Sequence, residues 1–169
     1  MLEKINSPKD LKNLTIEELQ IVSNEVSELI KDTIEEHGGH YSSPLGVVDL
    51  TVALHHCYES PKDKLVWDVG HQAYAHKILT GRKESFKTLR QKDGISGFLK
   101  RSESVHDAIG AGHSTTSISS ALGIAHARDH NNKDFNVVSI IGDGAMTGGM
   151  AYEAMNNLGF HRTQQTIIL

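Results

Sequence analysis

The sequence predicts an α/β fold in which a parallel sheet is flanked by helices. Three apolar, β-branched runs, at 64–70, at 135–141 and from Thr166 onward, have the composition of buried parallel strands. Segments with apolar residues at helical spacing lie before and between these runs. This order of elements is typical of a parallel α/β sheet, and such sheets bind ligands just beyond the carboxyl ends of their strands.

Size and composition fit one globular domain and exclude several classes of protein. The chain has 169 residues with 38% apolar residues, and glycine brings that share to roughly 47%, an ordinary value. A net charge of −4 and the lack of a basic stripe argue against binding to nucleic acid. No apolar run approaches transmembrane length, so no membrane association is expected. Acidic residues near the N-terminus argue against a signal or transit peptide.

The single cysteine, Cys57, indicates a reducing environment and excludes an internal disulfide. We expect Cys57 to be a packed thiol on an apolar helix face rather than a nucleophile. Together with the composition, this favours a cytoplasmic protein.

The first long element is an amphipathic helix with clear ends. Thr15 and Glu18 have the spacing of a capping box, and Gly38-Gly39 ends the helix. A turn follows and contains His40, and a second helix is predicted from there to Ser60-Pro61. Loops hold a large share of binding residues, so His40 is a candidate, although a loop histidine is more often plain surface.

The first strand is predicted at 64–70 and ends in Gly70-His71-Gln72. His71 therefore lies at the carboxyl end of a strand, where it either faces a ligand crevice or caps the next helix. That helix is predicted to reach Gly81. The polar stretch 81–107, with a short helical piece near Phe86, is interpreted as a solvated connection.

A glycine-rich segment around Gly112-His113-Ser114 precedes an alanine-rich helix. Small residues let a backbone approach a ligand closely, and hydroxyl groups at a helix start either bind phosphate or cap the helix. Capping alone would not call for a histidine between glycine and serine. These three residues are therefore candidates for ligand binding.

The most informative stretch is the strand that ends in Gly142-Asp143-Gly144. We expect the Asp143 carboxylate to face a cleft at the strand end. The amides of Gly144 and Ala145 could open a helix N-terminus that favours anionic oxygens. A carboxylate beside a phosphate site needs a cation, usually Mg²⁺. The alternative is a plain strand–helix turn capped by Asp143. The dinucleotide, P-loop and nucleophile-elbow patterns all fail here.

Four motifs in this order resemble the 1-deoxy-D-xylulose-5-phosphate synthase family, thiamine-diphosphate enzymes of the transketolase superfamily. The resemblance covers nearly all of the chain, and the combination favours the synthase over transketolase or the pyruvate dehydrogenases. The motifs are Gly38-Gly39-His40, the stretch 67–82 that begins Trp67-Asp68-Val69-Gly70-His71, Gly112-His113-Ser114-Thr115-Thr116-Ser117, and Gly142-Asp143-Gly144-Ala145.

The resemblance implies a role for each candidate residue. Asp143 would bind Mg²⁺, and Gly144-Ala145 would lie along the diphosphate of the cofactor. Gly112-His113-Ser114 would form the second segment in contact with the cofactor. His71 would contact the cofactor at the active site, and His40 would assist proton transfer or substrate orientation.

The implied reaction is the condensation of pyruvate with D-glyceraldehyde 3-phosphate with loss of CO₂. This is the first step of non-mevalonate isoprenoid precursor synthesis, and its product also feeds thiamine synthesis. The implied cofactors are thiamine diphosphate and Mg²⁺. The full-length protein is expected to be a homodimer.

The resemblance also predicts the domain organisation. Residues 1–169 would be the N-terminal part of the diphosphate-binding domain, cut inside the strand that begins at Thr166. The family's Asn-Asp-Asn metal motif, pyrimidine domain and C-terminal domain would lie outside this chain, which alone is expected to be inactive. Two alternatives stay open: a subunit of a split transketolase-like enzyme, and a non-catalytic fragment that dimerises through the helix at 117–128.

Overall fold

The computed structural model describes residues 1–168 and contains one parallel sheet. Its strands are β1 (Lys64–Trp67), β2 (Val137–Ile140) and β3 (Thr166–Ile168), in the order β1-β2-β3. Both neighbouring pairs are parallel, and all four residues of the central strand β2 are buried. A central parallel strand is covered on both faces, which explains its apolar composition. The predicted parallel α/β fold is confirmed.

Helices occupy most of the remaining chain. The α-helices are α1 (Ile16–His37), α2 (Ser42–Leu45), α3 (Val48–Cys57), α4 (Tyr74–Lys77), α5 (Ser117–His130) and α6 (Gly149–His161). Shorter 3-10 turns lie at Leu2–Lys4, Pro8–Leu11, Glu84–Thr88 and Ala145–Thr147, and a π-type turn lies at Ile78–Arg82. Within residues 1–168, none of the helices has the length and apolar character needed to cross a membrane.

The chain forms two compact units whose segments alternate in sequence. The first unit comprises Met1–Glu59 and His71–Leu99, and the second comprises Ser60–Gly70 and the chain from Lys100 onward. The whole sheet therefore belongs to the second unit, while α1 to α4 belong to the first.

The first unit is organised around helix α1, which begins and ends as predicted. The Glu18 amide donates to the Thr15 hydroxyl at 3.3 Å, and the Thr15 amide donates to the Glu18 carboxylate at 2.9 Å. This reciprocal pair satisfies two amides that a helix start leaves without internal partners. Gly38 ends the helix at φ +75°. The buried side chains that pack around α1 include Val22, Val26, Ile30, Val52, Tyr74, Leu79 and Phe86.

Two predicted helices in the first unit are shorter or less regular than expected. The helix expected to run up to Ser60-Pro61 is α3, which already ends at Cys57, and the short helix α2 forms where the sequence predicts a turn. The helix expected to reach Gly81 is regular only over α4. Thr80 and Gly81 then leave helical geometry, and Gly81 takes φ +87°, a conformation that favours glycine.

The prediction that Cys57 is a packed thiol is wrong. Cys57 is exposed. The buried stripe of α3 runs through Val48, Val52 and His55 at i, i+4 and i+7. Cys57 is the last residue of this helix and falls outside that stripe, so its thiol faces solvent.

The core of the second unit lies between the sheet and helix α5. Ala121 and Ala125 of α5 pack against Val66 of β1 and Val137 of β2. Small alanine side chains let the helix lie close to the sheet. Helix α6 packs on α5, where Ala151 and Ala154 contact Ile118. This packing places α5 and α6 side by side on the sheet.

Candidate functional site

The candidate residues are divided between the two units. His40 and His71 belong to the first unit. The second unit contains the other candidates, which are Gly112, His113, Ser114, Asp143, Gly144 and Ala145.

In the first unit the two predicted histidines lie side by side. The ring centroids of His40 and His71 are 4.7 Å apart, with an angle of 55° between the rings. His40 is exposed and also approaches the edge of Phe98 at 6.4 Å, whereas His71 is half-buried. The backbone amide of His40 donates to the Tyr74 hydroxyl at 3.5 Å. Residues 31 positions apart in the sequence are thus brought into ring contact.

The backbone just before His71 is strained. Val69 has φ +56° and Gly70 has φ +92°. A β-branched residue at positive φ is a rare and costly conformation, and such outliers cluster at functional sites. The turn at the end of β1 therefore carries a feature that sequence patterns did not indicate, and it supports the choice of His71 as a candidate.

In the second unit the segment that contains His113 leads directly into α5. His113 is exposed, and its Nδ1 lies 2.8 Å from the Ser114 carbonyl oxygen. A carbonyl only accepts, so Nδ1 donates in this contact, and Nε2 of the neutral ring is left as an acceptor. Thr115, two residues on, has φ +69°.

Asp68 is a buried residue next to these candidates whose importance the sequence patterns did not indicate. It directly follows β1 and is only 1% exposed. Its carboxylate accepts hydrogen bonds from the amides of Thr115 at 2.8 Å and Ser117 at 2.9 Å. A charged residue directly after a buried strand was the available signal, since a buried carboxylate needs donors.

The turn after β2 is built differently from the prediction. The amide of Gly144 donates to Oδ1 of the exposed Asp143 at 2.8 Å. Gly144 and Ala145 lead into the 3-10 turn Ala145–Thr147, and the α-helix begins only at Gly149. The expectation that these amides open the α-helix is therefore wrong. The carboxylate takes up the first amide, and Gly148 lies extended at ψ 141°, which ends the turn before α6 can begin.

Thr115, the residue after one predicted cofactor segment, contacts Gly148, which follows the other. A Cβ added to Gly148 would lie 2.2 Å from Cγ2 of Thr115, so the Thr115 methyl group occupies the space beside this glycine. Thr115 therefore packs against the turn that follows Asp143.

These two segments also border open space. A Cβ added to Gly112, Gly142 or Gly144 would meet no other atom within 4 Å. A ligand can therefore approach the backbone closely at all three positions.

The residues fit a cation that takes further ligands from a bound molecule. Over residues 1–168, no three His, Cys, Asp or Glu side chains are grouped so that they could hold a metal ion. Asp143 thus offers one accessible carboxylate rather than a closed cage. Mg²⁺ is commonly held by one or two carboxylates together with phosphate oxygens, so Asp143 beside an open glycine turn suits a magnesium diphosphate.

Comparison with known proteins adds independent information. Residues 2–169 match the family model described as 1-deoxy-D-xylulose-5-phosphate synthase. Over all 169 residues, the chain is 55% identical to the 1-deoxy-D-xylulose-5-phosphate synthase of Caldanaerobacter subterraneus subsp. tengcongensis. It is 56% identical to the proteins of that name from Dehalococcoides mccartyi and Clostridium beijerinckii. The chain spans 27%, 26% and 27% of these three relatives, respectively.

A solved structure with a similar fold is that of transketolase from Campylobacter jejuni. The TM-score is 0.77 over 88% of this chain and 27% of the transketolase chain. The sequence identity is 24%, so the likeness shows the fold alone.

Proposed function

Because the chain belongs to the 1-deoxy-D-xylulose-5-phosphate synthase family, we propose that it forms the cofactor-binding part of such a synthase. The reaction is the condensation of pyruvate with D-glyceraldehyde 3-phosphate with release of CO₂. The cofactors are thiamine diphosphate and Mg²⁺, and residues 1–169 are the N-terminal part of the diphosphate-binding domain. The observation that carries this proposal is the contact of Thr115 with Gly148, which joins two glycine-rich segments beside an accessible carboxylate.

In this proposal, the second unit holds the diphosphate end of the cofactor. Asp143, whose Oδ1 accepts a hydrogen bond from the Gly144 amide, would hold Mg²⁺ through its carboxylate. Gly144-Ala145 and Gly112-His113-Ser114 present backbone and small side chains to the diphosphate. The thiazolium ring of the cofactor, when bound, supplies the electron sink for decarboxylation.

The first unit supplies the histidines. An imidazole both donates and accepts protons near neutral pH, which suits it to proton transfer at a reacting carbonyl group. We assign His71 to contact with the cofactor, and we assign the exposed His40, whose ring centroid lies 4.7 Å from that of His71, to proton transfer or substrate orientation.

Isothermal titration with thiamine diphosphate in the presence of Mg²⁺ tests the cofactor assignment. We expect the wild-type chain to bind and Asp143→Asn to bind at least about tenfold more weakly, a difference of about 1.4 kcal/mol. Asp134→Asn, an exposed carboxylate of the same unit, is the matched control and should bind like wild type. The assignment is contradicted if the wild-type chain does not bind thiamine diphosphate, or if Asp143→Asn and Asp134→Asn bind it with equal affinity.

A chimera tests the reaction itself. The chain replaces the corresponding part of the Clostridium beijerinckii relative, to which it is 56% identical. We expect the chimera to form product from pyruvate and D-glyceraldehyde 3-phosphate, and the chimera with Asp143→Asn to lose most of this activity. A folded chimera that binds cofactor but forms no product contradicts the proposed reaction.

We further propose that the full-length protein is a homodimer and that helices α5 and α6 form its interface. A groove of about 450 Å³ lies between these helices, and Tyr152 and Phe160 of α6 are 59% and 81% exposed. Large exposed apolar side chains mark interaction surfaces. Sedimentation velocity of the full-length protein should show a dimer. Phe160→Glu should dissociate this dimer, whereas Ile16→Glu, at an exposed apolar position of α1, should leave it intact. A monomeric wild type contradicts this.

A further inference from the structure

Asp68 is a buried carboxylate whose hydrogen bonds go to the start of helix α5. Its two oxygens accept from the amides of Thr115 and Ser117, which lie 47 and 49 residues later in the chain. A helix start leaves its first amides without internal partners and carries a partial positive charge. A buried carboxylate is stable only when donors surround it. Asp68 and the start of α5 therefore satisfy each other.

The residue that Asp68 holds is strained. Thr115 has φ +69° and is buried, and a β-branched residue in this conformation costs free energy that surrounding contacts must offset. Two contacts do so. The Thr115 amide donates a hydrogen bond to Asp68, and the Thr115 methyl group fills the space beside Gly148.

These contacts fix the segment before Thr115 as well. Neither His113 nor Ser114 is anchored by a side chain buried in the core. The His113 side chain is exposed and bonds to the Ser114 carbonyl oxygen, and Ser114 is half-buried. Their position is thus set by Thr115, which is anchored between Asp68 and the turn at Gly148. The amides of Thr115 and Ser117 donate to Asp68, so a diphosphate meets the segment 112–114 rather than these two amides.

We propose that Asp68 is a positioning residue of the cofactor site, an inference that rests on the proposed function. Its carboxylate holds Thr115, which contacts Gly148, and thereby fixes the preceding segment Gly112-His113-Ser114 for the cofactor. A protein whose binding-competent conformation is only partly populated binds with an affinity reduced by that fraction. Loss of the carboxylate lowers this population and weakens cofactor binding without touching the cofactor.

Asp68→Asn is the informative variant because it keeps the shape and removes one acceptor. An amide accepts through its oxygen only, and its NH₂ group would face one of the two backbone N–H donors. Asp63→Asn is the matched control. Asp63 is also buried, lies in the same unit, and accepts from the Asn136 amide at 2.7 Å and from the Asn136 side chain at 3.1 Å. Both variants thus lose a charged acceptor from a buried site.

The experiment measures amide hydrogen exchange and thiamine diphosphate binding with Mg²⁺ on the 169-residue chain. We expect Asp68→Asn to speed exchange at Thr115 and Ser117 and to weaken binding about tenfold, which is about 1.4 kcal/mol. Asp63→Asn should speed exchange at Asn136 and leave the affinity unchanged. Urea unfolding establishes that both variants are folded.

Three results overturn the proposal. The first is an unchanged affinity of Asp68→Asn for thiamine diphosphate although exchange at Thr115 is faster. The second is an equal loss of affinity in Asp68→Asn and in the control Asp63→Asn. If Asp68→Asn does not fold, Asp68→Glu is measured in its place. The third result that overturns the proposal is then faster exchange at Thr115 in Asp68→Glu with unchanged affinity for thiamine diphosphate. A wild-type chain that binds no thiamine diphosphate refutes the proposed function instead, and the exchange data then decide separately whether Asp68 holds the segment.

Discussion

Substitution of Gly148 by alanine tests the contact between the two glycine-rich segments directly. Gly148 has φ −83° and ψ 141°, an extended conformation that alanine adopts without strain. The added Cβ would lie 2.2 Å from Cγ2 of Thr115 and 3.3 Å from its Cβ. The expected cost of Gly148→Ala therefore comes from one methyl group of one neighbour.

The magnitude follows from the freedom of Thr115 to move. Carbon atoms attract best at about 3.5–4.0 Å, so a separation near 2.2 Å requires a shift of more than 1 Å. Thr115 cannot easily move away from the added methyl group, because its side chain is buried and its amide is bonded to Asp68. Overpacking of this kind costs about 1–3 kcal/mol, offset in part by the 0.4–1 kcal/mol that a compatible Gly→Ala change gains in the unfolded state. We expect a net loss of about 1–2 kcal/mol.

A double-mutant cycle isolates this contact. Thr115→Ser removes Cγ2, after which the nearest atom to the new side chain is the Cβ at 3.3 Å. Urea unfolding of wild type, Gly148→Ala, Thr115→Ser and the double variant gives the coupling energy, which we expect to be about 1–2 kcal/mol in favour of the double variant. A coupling below about 0.5 kcal/mol would refute the reasoning, because the methyl group would then not be the obstacle.

Three further predictions concern local features of the fold. Thr15→Ala removes the capping hydroxyl of α1 and should lower the unfolding free energy by about 1 kcal/mol in urea; an unchanged value would contradict the capping box. Hydrogen bonds from the amides of Asn6 and Ser7 hold the pKa of Asp10 below its ordinary value of 3.8. The ionised Asp10 carboxylate therefore stabilises the fold above pH 3.8, and this contribution is lost as the pH falls toward the lowered pKa. Asp10→Asn should cost about 0.5 kcal/mol at neutral pH, since the site is exposed, and less as the pH falls toward the lowered pKa; a loss independent of pH would be inconsistent with this. Gly123→Ala adds a Cβ in open space within α5 and should raise the thermal stability of the monomeric chain by about 0.5–1 kcal/mol. Destabilisation of the monomer would contradict this, whereas weaker dimerisation would agree with the proposed interface, because Gly123 lines the groove between α5 and α6.

The parts of the fold with local causes could be predicted from the sequence. Helix α1 has its capping box at Thr15 and Glu18 and its glycine at the end, and it begins and ends as expected. Strands β1 and β2 were recognised because buried parallel strands are largely apolar, whereas β3 is only partly buried and was recognised by its β-branched residues. The convergence of His40 and His71 agrees with their choice as candidates, although their spacing in sequence gives no distance.

The parts with distant causes could not be predicted. The partners of Asp68 lie 47 and 49 residues away, and sequence patterns within a short window cannot reveal them. The helix after His71 was predicted to end at Gly81, where helical geometry is indeed lost, but the π-type turn at Ile78–Arg82 gives no signal in a short sequence window. The 3-10 turn after Asp143 was missed for a local reason instead: the Asp143 side chain accepts a hydrogen bond from the adjacent Gly144 amide, and this bond competes with a regular helix start.

The alternation of the two units along the chain has a consequence for synthesis on the ribosome. Strand β1 pairs with β2, and the residues at this junction, Asp63 and Asn136, are 73 positions apart. At a translation rate of about 5–20 residues per second, the nascent β1 waits on the order of 4–15 s for this neighbour. During that interval the apolar residues Leu65, Val66 and Trp67 have no sheet to join, although they are buried in the finished fold. A chaperone that binds short apolar segments should therefore be found on stalled nascent chains that end between β1 and β2, and should leave once β2 has emerged.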